Sequence, residues 1–448
     1  MVAGDQSDPA DVLILGGGPA GYVCALRAAQ NGRNVTLVER ARVGGICLNE
    51  GCIPSKHLAV FAAAKASAER FASAGMPAFA GQPDLGAFQK ARGAAIDALV
   101  KGVEGLLAGA GVGVIRGNAW FVGRTRVCVA VGEEAVRYFD FKDVVIATGS
   151  CPAPLPGLPL DGERVIEASR ALEWTSAPAS LLVAGDDYIA LELAIAYSRL
   201  GSKVTIATQR DRLLGDFDPD LSQAAQRGAR SAGIEVALAT DPATRSSDAD
   251  RVIVSGGRVP NVAGLHLEAA GLPSGADPLA VDDHLRLDRH TYAIGDVTGA
   301  PMLAHRAFAQ GRVAGDILGG MPAVMDVRAI PRVVFAEPEI ATVGESDGAN
   351  AMVGRFPLAA LGRAVIESST SGFAKLVFAP GSGALVGAHL AGPRATDLIA
   401  EMALAIEMGA TAEDLAMTVH AHPTFAEPAT EAAEVALGKP IHVRPRKQ

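Results

Sequence analysis

Short apolar runs punctuate this chain, and the residues after each run predict the architecture. Residues 11–15 form one such run, closed by glycine, which reads as a buried strand. A helical stretch comes next, as far as Asn31, and a second strand, residues 34–38, ends in Glu39. The same succession returns later: a strand at Ser180–Ala184, a helix over residues 191–200 with Gly201 as its cap, and a strand at Lys203–Ala207. Residues 144–147, residues 233–239 and Arg251–Val254 are further candidate strands. Strands alternating with helices predict an α/β chain built on parallel sheets.

Composition narrows the class. The chain has 448 residues, enough for two to four domains, and 49% of them are hydrophobic, enough for large cores. No apolar run reaches membrane-span length, and no basic segment followed by an apolar stretch suggests a signal peptide. A net charge of −9 argues against nucleic acid or an anionic membrane surface as partner. Five cysteines are few for a secreted scaffold of this length. No metal-ligand set is read from the sequence.

The first strand–helix–strand succession carries chemistry. Its turn is Gly16-Gly17-Gly18-Pro19-Ala20-Gly21, a G-x-G-x-x-G, with an acid about 20 positions on at Glu39. Gly16 is expected to make the turn, Gly18 to let a pyrophosphate approach the backbone, and Gly21 to pack helix on strand. The helix N-terminus would hold the phosphates and Glu39 the ribose hydroxyls. The unit by itself fits FAD and NAD equally.

The second succession has a different turn, Gly185-Asp186-Asp187-Tyr188-Ile189-Ala190. Ala190 is tolerated in the third slot. Asp187 occupies the slot where the backbone must touch a pyrophosphate. A carboxylate about 4–5 Å from a phosphate costs roughly 3–4 kcal/mol per like-charge pair at an effective dielectric near 20. The second strand ends in Thr208 where the ribose-binding acid belongs. Gln209, Arg210 and Arg212 come next, and they read better as a solvated basic turn than as a site for a 2′-phosphate.

Cys47 and Cys52 lie five apart in Gly44-Gly45-Ile46-Cys47-Leu48-Asn49-Glu50-Gly51-Cys52-Ile53-Pro54-Ser55-Lys56. In a regular helix that spacing rises about 7.5 Å and separates the side chains around the axis. A disulfide needs Cα atoms within about 7 Å, so pairing would require a distorted segment, which Gly51 permits. Pro54 suits the first turn of a helix beginning there. Two core cysteines that never bond fit the bare spacing at least as well.

The flanking residues shift that balance. This segment resembles the redox-active segment of the flavoprotein disulfide reductases, and especially of dihydrolipoamide dehydrogenases. Residues 11–40, Thr148-Gly149-Ser150, residues 292–311, and His420-Ala421-His422-Pro423-Thr424-Phe425-Ala426-Glu427 match the family's other landmarks in order. The resemblance implies two Rossmann-like nucleotide-binding domains, one for FAD and one a truncated NAD-type domain, plus a C-terminal α+β dimerisation domain. Expected boundaries are 1–150 for the FAD domain, 151–278 for the NAD-type domain, 279–326 for a return to the FAD fold, and 327–448 for the interface domain.

The resemblance also implies roles. Cys47 and Cys52 form the redox-active disulfide, leaving Cys24, Cys128 and Cys151 as ordinary thiols. One dedicated pair among few cysteines suits a reducing cytoplasm. Lys56 pairs with Glu192 beside the flavin, and Tyr188 covers the nicotinamide pocket. FAD is held by Gly16, Gly18, Gly21, Glu39, Lys56, Gly117, Thr148, Gly149, Ser150 and Asp296, with Met302, Leu303, Ala304 and His305 lining the flavin. His422 is the catalytic base, oriented by Glu427 and delivered to the other subunit of a homodimer; His420 is read as structural. The substrate is a small or carrier-bound dithiol or disulfide. The family's Gly-Arg-x-Pro-Asn turn falls at Gly257-Arg258-Val259-Pro260-Asn261. Only residues 240–250 separate its strand from the preceding one, too few for the family's three-stranded meander. With Asp187 and Thr208, that deletion makes NAD(H) use doubtful and favours another acceptor, such as oxygen.

Overall fold

The computed structural model describes residues 7–444, except 73, 74, 76, 78–80, 82, 134, 274, 276, 277, 347 and 349. Two compact units emerge, each assembled from separate stretches of chain: Met1–Ser55, Gly86–Ala153 and Gly257–Asp326 in one, Lys56–Leu85, Pro154–Gly256 and Val327–Gln448 in the other.

The first unit is built around a parallel sheet. Strands Gly113–Arg116, Val35–Glu39, Ser7–Leu15 and Ala135–Ile146 lie side by side in that order, and Thr291–Ala293 adds to the far edge. The first half of Ala135–Ile146 turns instead to Arg126–Val131, which pairs antiparallel with Asn118–Gly123. Val12, Leu13 and Ile14 have no exposed surface, as the unbroken apolar run requires for a strand covered on both faces. Helices Pro19–Gln30 and Ala304–Leu318 pack together on one side through Gly311, where a Cβ would lie 2.6 Å from the Ala20 carbonyl oxygen.

The chain returns to this unit earlier than expected. Residues 257–278 fell within the expected NAD-type domain, yet they pack here. Arg258–Pro260 pairs antiparallel with Ser150–Pro152. Val262, Leu265, Leu267, Ala270 and Leu272 join the core of Phe121, Phe139 and Phe141. Apolar content, rather than position after the second fingerprint, decides where the stretch belongs.

The second unit carries two sheets. One is parallel, in the order Glu235–Ala237, Lys203–Ala207, Ser180–Ala184, Arg251–Val254, Val165–Glu167. Between Ala237 and Arg251 the only regular element is a 3-10 turn, Pro242–Asp248, so no meander is present there. The other sheet is antiparallel, in the order Arg332–Val334, Ile340–Gly344, Leu385–Ala391, Phe373–Phe378, Met352–Pro357, backed by helix Ala395–Met408. Residues 56–85 were expected in the FAD domain but fall in this unit, where Lys56 and Arg70 find carboxylate partners in Glu192 and Glu337.

A polar rung crosses the whole antiparallel sheet. Arg332, Thr342, His389, Lys375 and Arg355 are register partners on successive strands. The segment Asp216-Phe217-Asp218-Pro219-Asp220 lies on it. Arg332 bonds Asp216 and covers the Phe217 ring, and Lys375 reaches both Asp218 and Asp220. Lys375, Asp218 and His389 are all buried. Burial pushes the Asp218 carboxyl up, but His389 and Lys375 more than offset it and hold it below the usual carboxylate range. Removing one member of such a cluster would leave a buried charge uncompensated, which costs about 3–5 kcal/mol.

No helix among the described residues is long and apolar enough to cross a membrane.

Candidate active site

The glycine turn of the first unit has the shape its sequence demands. Gly16 has φ +108°, and a Cβ there would lie 2.3 Å from the Ala147 carbonyl oxygen. At Gly21 a Cβ would lie 1.9 Å from the Gly16 carbonyl oxygen, so helix and strand could not close. Gly18 differs: its nearest neighbour is Gly45 Cα, 3.9 Å from an added Cβ. It is also the N-cap of helix Pro19–Gln30, and no side chain caps that helix. Space and uncapped N–H groups at a positive dipole end fit a pyrophosphate.

Glu39 stands beside this turn. Its carboxylate accepts from the N–H groups of Gly17 at 2.7 Å and Ala41 at 2.8 Å. A carboxylate has about four lone-pair sites, so capacity remains for ribose hydroxyls. Gly117 donates its N–H to the Glu39 carbonyl at 3.0 Å, and a Cβ on it would lie 2.3 Å from the Ala130 carbonyl oxygen.

The cysteine segment folds as two helices, Gly45–Asn49 and Cys52–Arg70, separated by Glu50 and Gly51. Pro54 lies in the first turn of the second, as its fixed φ favours. Cys47 and Cys52 are both half-buried. The bend depends less on Gly51 than expected. Left-handed backbone falls at Gly44 (φ +93°) and Gly45 (φ +57°). Gly51 supplies a close approach instead, its N–H donating to the Ile46 carbonyl at 2.7 Å. Gly45 also brings the segment against the phosphate turn: a Cβ there would lie 2.7 Å from Gly18 Cα. The Gly44-Gly45 doublet was visible in the sequence, but its contact with Gly18 was not.

Thr148, Gly149 and Ser150 are knitted to residues that sequence reasoning treated only as a turn. Thr148 Oγ1 donates to the Asn261 carbonyl at 2.7 Å, and the Asn261 amide donates back to the Thr148 carbonyl at 3.1 Å. Ser150 Oγ donates to Asp296 at 2.6 Å while Arg258 donates to Ser150 at 2.7 Å. Asp296 sits in the one-turn helix Gly295–Thr298, its carboxylate held by Ser150 Oγ. Met302 and Leu303 precede helix Ala304–Leu318, of which Ala304 and His305 form the start; the first three are half-buried and His305 is exposed.

The second fingerprint has another geometry. Gly185 keeps the first role, with φ +149° and a Cβ position 2.2 Å from the Ser255 carbonyl oxygen. Asp187 was expected to aim at incoming phosphates. It turns instead onto its own helix, Tyr188–Arg199, as N-cap: Oδ1 accepts from the Ala190 N–H at 2.8 Å and from Ser255 Oγ at 2.7 Å. Burial pushes its carboxyl up to about 6. Asp186 is also raised, chiefly by burial. It accepts from Thr208 Oγ1 at 3.2 Å and lies 3.5 Å from Arg210. Arg212 donates to the Gly215 carbonyl of its own loop, so Arg210 and Arg212 both have protein partners, one in the glycine turn and one in the loop. Tyr188 is half-buried at the first position of the helix.

Glu192 lies in the same helix with its side chain 5% exposed, 2.7 Å from the Lys56 ammonium. In the interface domain His422 Nδ1 lies 2.7 Å from Glu427 Oε2, and the Thr424 N–H donates to Glu427 Oε1. The carboxylate is thus oriented by backbone and in turn orients the imidazole, leaving Nε2 outward on a ring 77% exposed. His420 is closed in by Thr430 and Glu401, a structural arrangement. Cys24 is fully buried, its thiol pushed up to about 12 by desolvation.

Comparisons with known proteins agree with this geometry. Residues 10–311 match the pyridine nucleotide-disulphide oxidoreductase family, and residues 330–433 match its dimerisation domain. The dihydrolipoyl dehydrogenase of Geobacillus stearothermophilus is 40% identical over 469 residues, covering 99% of each chain. That of Bacillus subtilis (strain 168) is 39% identical over 99% of this chain and all of its own. The crystal structure of LpdA from Mycobacterium tuberculosis superposes with a TM-score of 0.87 at 26% identity, covering 95% of this chain and 99% of its own. With matches spanning nearly its whole length, the chain belongs to the pyridine nucleotide-disulphide oxidoreductase family and is an FAD-dependent disulfide oxidoreductase of the lipoamide dehydrogenase type.

Proposed function

We propose that the protein oxidises a dithiol through Cys47 and Cys52, or reduces a disulfide by the reverse steps, and passes electrons onward with little use of NAD(H). His422, oriented by Glu427, takes a proton from one substrate thiol. The resulting thiolate attacks Cys47 Sγ, the Cys47–Cys52 bond breaks, and a mixed disulfide forms with Cys52 leaving as thiolate. The second substrate thiol gives its proton to solvent and attacks the substrate sulfur of that mixed disulfide. Cys47 is released, and the substrate leaves as a disulfide. Two electrons now reside on the cysteine pair. Bound FAD supplies the acceptor for that electron pair. Lys56, held by Glu192 and four residues beyond Cys52 in one helix, stabilises negative charge developing nearby. The active form is a homodimer, in which the outward Nε2 of His422 serves the cysteine pair of the other subunit.

Asp187 carries the acceptor reading. Its carboxylate occupies the helix N-terminus at which a pyrophosphate would bind, so these residues do not fit the cofactor. Thr208 in place of an acid and the missing meander support the same reading. Oxygen, a quinone or a protein is then the acceptor class. A second reading, ordinary NAD+-dependent dihydrolipoamide dehydrogenase activity, is favoured by the 40% identity over the full chain. Anaerobic titration with dihydrolipoamide and with NADH, following flavin absorbance, separates the two. Rapid reduction by the dithiol and slow reduction by NADH is expected. Rapid reduction by micromolar NADH would overturn the acceptor reading. Mixed dimers of Cys47→Ser and His422→Ala chains are expected to regain part of the activity; none regained, with both parents inactive, would overturn the shared site.

A further inference from the structure

The Lys56–Glu192 pair has a third member that the sequence did not suggest. Phe335 follows strand Arg332–Val334, and it touches both ions. Its backbone N–H donates to Glu192 Oε1 at 3.0 Å. Its ring lies under the Lys56 ammonium, 4.8 Å from Nζ to the centroid. Glu192 therefore spends one oxygen on Phe335 and the other on Lys56. The ring occupies a second side of the ammonium, on a lysine side chain 29% exposed.

The ring is anchored independently of the lysine. Two residues on, Glu337 accepts from Arg70 and Arg199, which belong to the same two helices as Lys56 and Glu192. At Gly228 a Cβ would lie 2.1 Å from the Glu337 carbonyl oxygen, so helix Pro219–Ser231 closes directly on this turn. Two further on, Glu339 accepts from the backbone and side chain of Thr396. The lysine has a long stem with several rotatable bonds, whereas the ring sits on a turn fixed at several points. The platform positions the ion, and not the reverse.

We propose that Phe335 is a positioning residue for the reaction: its ring and backbone N–H together hold the Lys56 ammonium in the single place where it stabilises the thiolate and the reduced cofactor. The inference rests on the charge-stabilising role assigned to Lys56. A cation over an aromatic face is favoured most when partly desolvated, as here.

The test is a double-mutant cycle on the flavin-loaded dimer, read as the anaerobic rate of flavin reduction by dihydrolipoamide and the long-wavelength thiolate–flavin band of the two-electron-reduced protein. Phe335→Leu keeps the backbone N–H and removes the ring. It is expected to slow reduction by about three- to thirtyfold, the range of a cation–π contact, and to weaken the band. Phe335→Tyr restores both. In a Lys56→Met background, Phe335→Leu should cause no further change. Phe335→Leu acting by the same factor in both backgrounds, or having no effect in the native one, would overturn the proposal while leaving the role of Lys56 intact. A silent Lys56→Met would instead overturn the role of Lys56, and the proposal with it.

Discussion

The two strand–turn–helix–strand motifs share a scaffold and part most sharply at the residue that opens the helix, Gly18 in one and Asp187 in the other. Around Gly18 the helix N-terminus is uncapped and open; around Asp187 the corresponding N-terminus is filled by the residue's own carboxylate. Both solutions satisfy the backbone. One leaves N–H groups for an outside anion, the other supplies the anion from within. An N-cap aspartate can thus stabilise such a helix without any outside anion. Measured caps contribute about 1 kcal/mol, so the occupied form has its own reason to persist.

The largest test makes the first motif resemble the second. At Gly18 an added Cβ meets nothing closer than 3.9 Å, and Gly18→Asp puts a carboxylate at that turn. At roughly 3–4 kcal/mol per like-charge pair, FAD affinity should fall by about a hundredfold or more. Purified protein is expected to be colourless, read as flavin absorbance per chain; a fully yellow variant would break the comparison.

The reverse conversion is next in size. Asp187→Gly with Thr208→Glu opens the second turn and restores an acid for the ribose. Anaerobic flavin reduction by NADH should accelerate by about ten- to a hundredfold, the inverse of a few kcal/mol of repulsion. An unchanged rate would show that neither Asp187 nor Thr208 limits the use of NADH.

A smaller effect comes from pH. The Asp187 carboxyl titrates near 6, so it is charged well above that pH and largely neutral well below it. Flavin reduction by NADH in the unmodified protein should rise up to about tenfold as pH falls through 6, since the repulsion disappears with the proton. Asp187→Asn should show the higher rate throughout and lose that dependence; a parallel pH profile in the variant would exclude Asp187 as its source.

The smallest effect is on stability. A carboxyl raised from 3.8 to about 6 favours the folded state fully below pH 3.8, and that contribution is lost as pH rises through 6. The difference is at most about 3 kcal/mol. Asp187→Asn keeps an acceptor for Ala190 and Ser255, so it should melt a few degrees higher than the parent at about pH 8 and no higher at about pH 4. Equal melting temperatures at the alkaline pH would show that the carboxyl is not desolvated.

Local pattern made much of this molecule legible. The strands Ser180–Ala184, Lys203–Ala207 and Arg251–Val254 arise from short apolar runs, since both faces of a parallel strand are covered. The glycine roles come from backbone sterics, and the close His422–Glu427 pair is observed at the expected spacing. What stayed hidden depends on partners far away in sequence. Asp187 turns inward because Ser255 meets it, and Glu192 is completed by Phe335, 143 residues on. The return at Gly257 is decided by aliphatic residues that find the Phe121 core. No periodicity or motif encodes those meetings.

The rung from Arg332 to Arg355 bears on how this chain could be rebuilt. An engineer wishing to change nucleotide use would transplant the middle domain of a relative. The graft would lift Asp216, Asp218 and Asp220 off the sheet and strand the buried Lys375 without a counter-ion. The seam for a chimaera therefore does not fall at the domain border: the five residues 216–220 must stay with the sheet they neutralise.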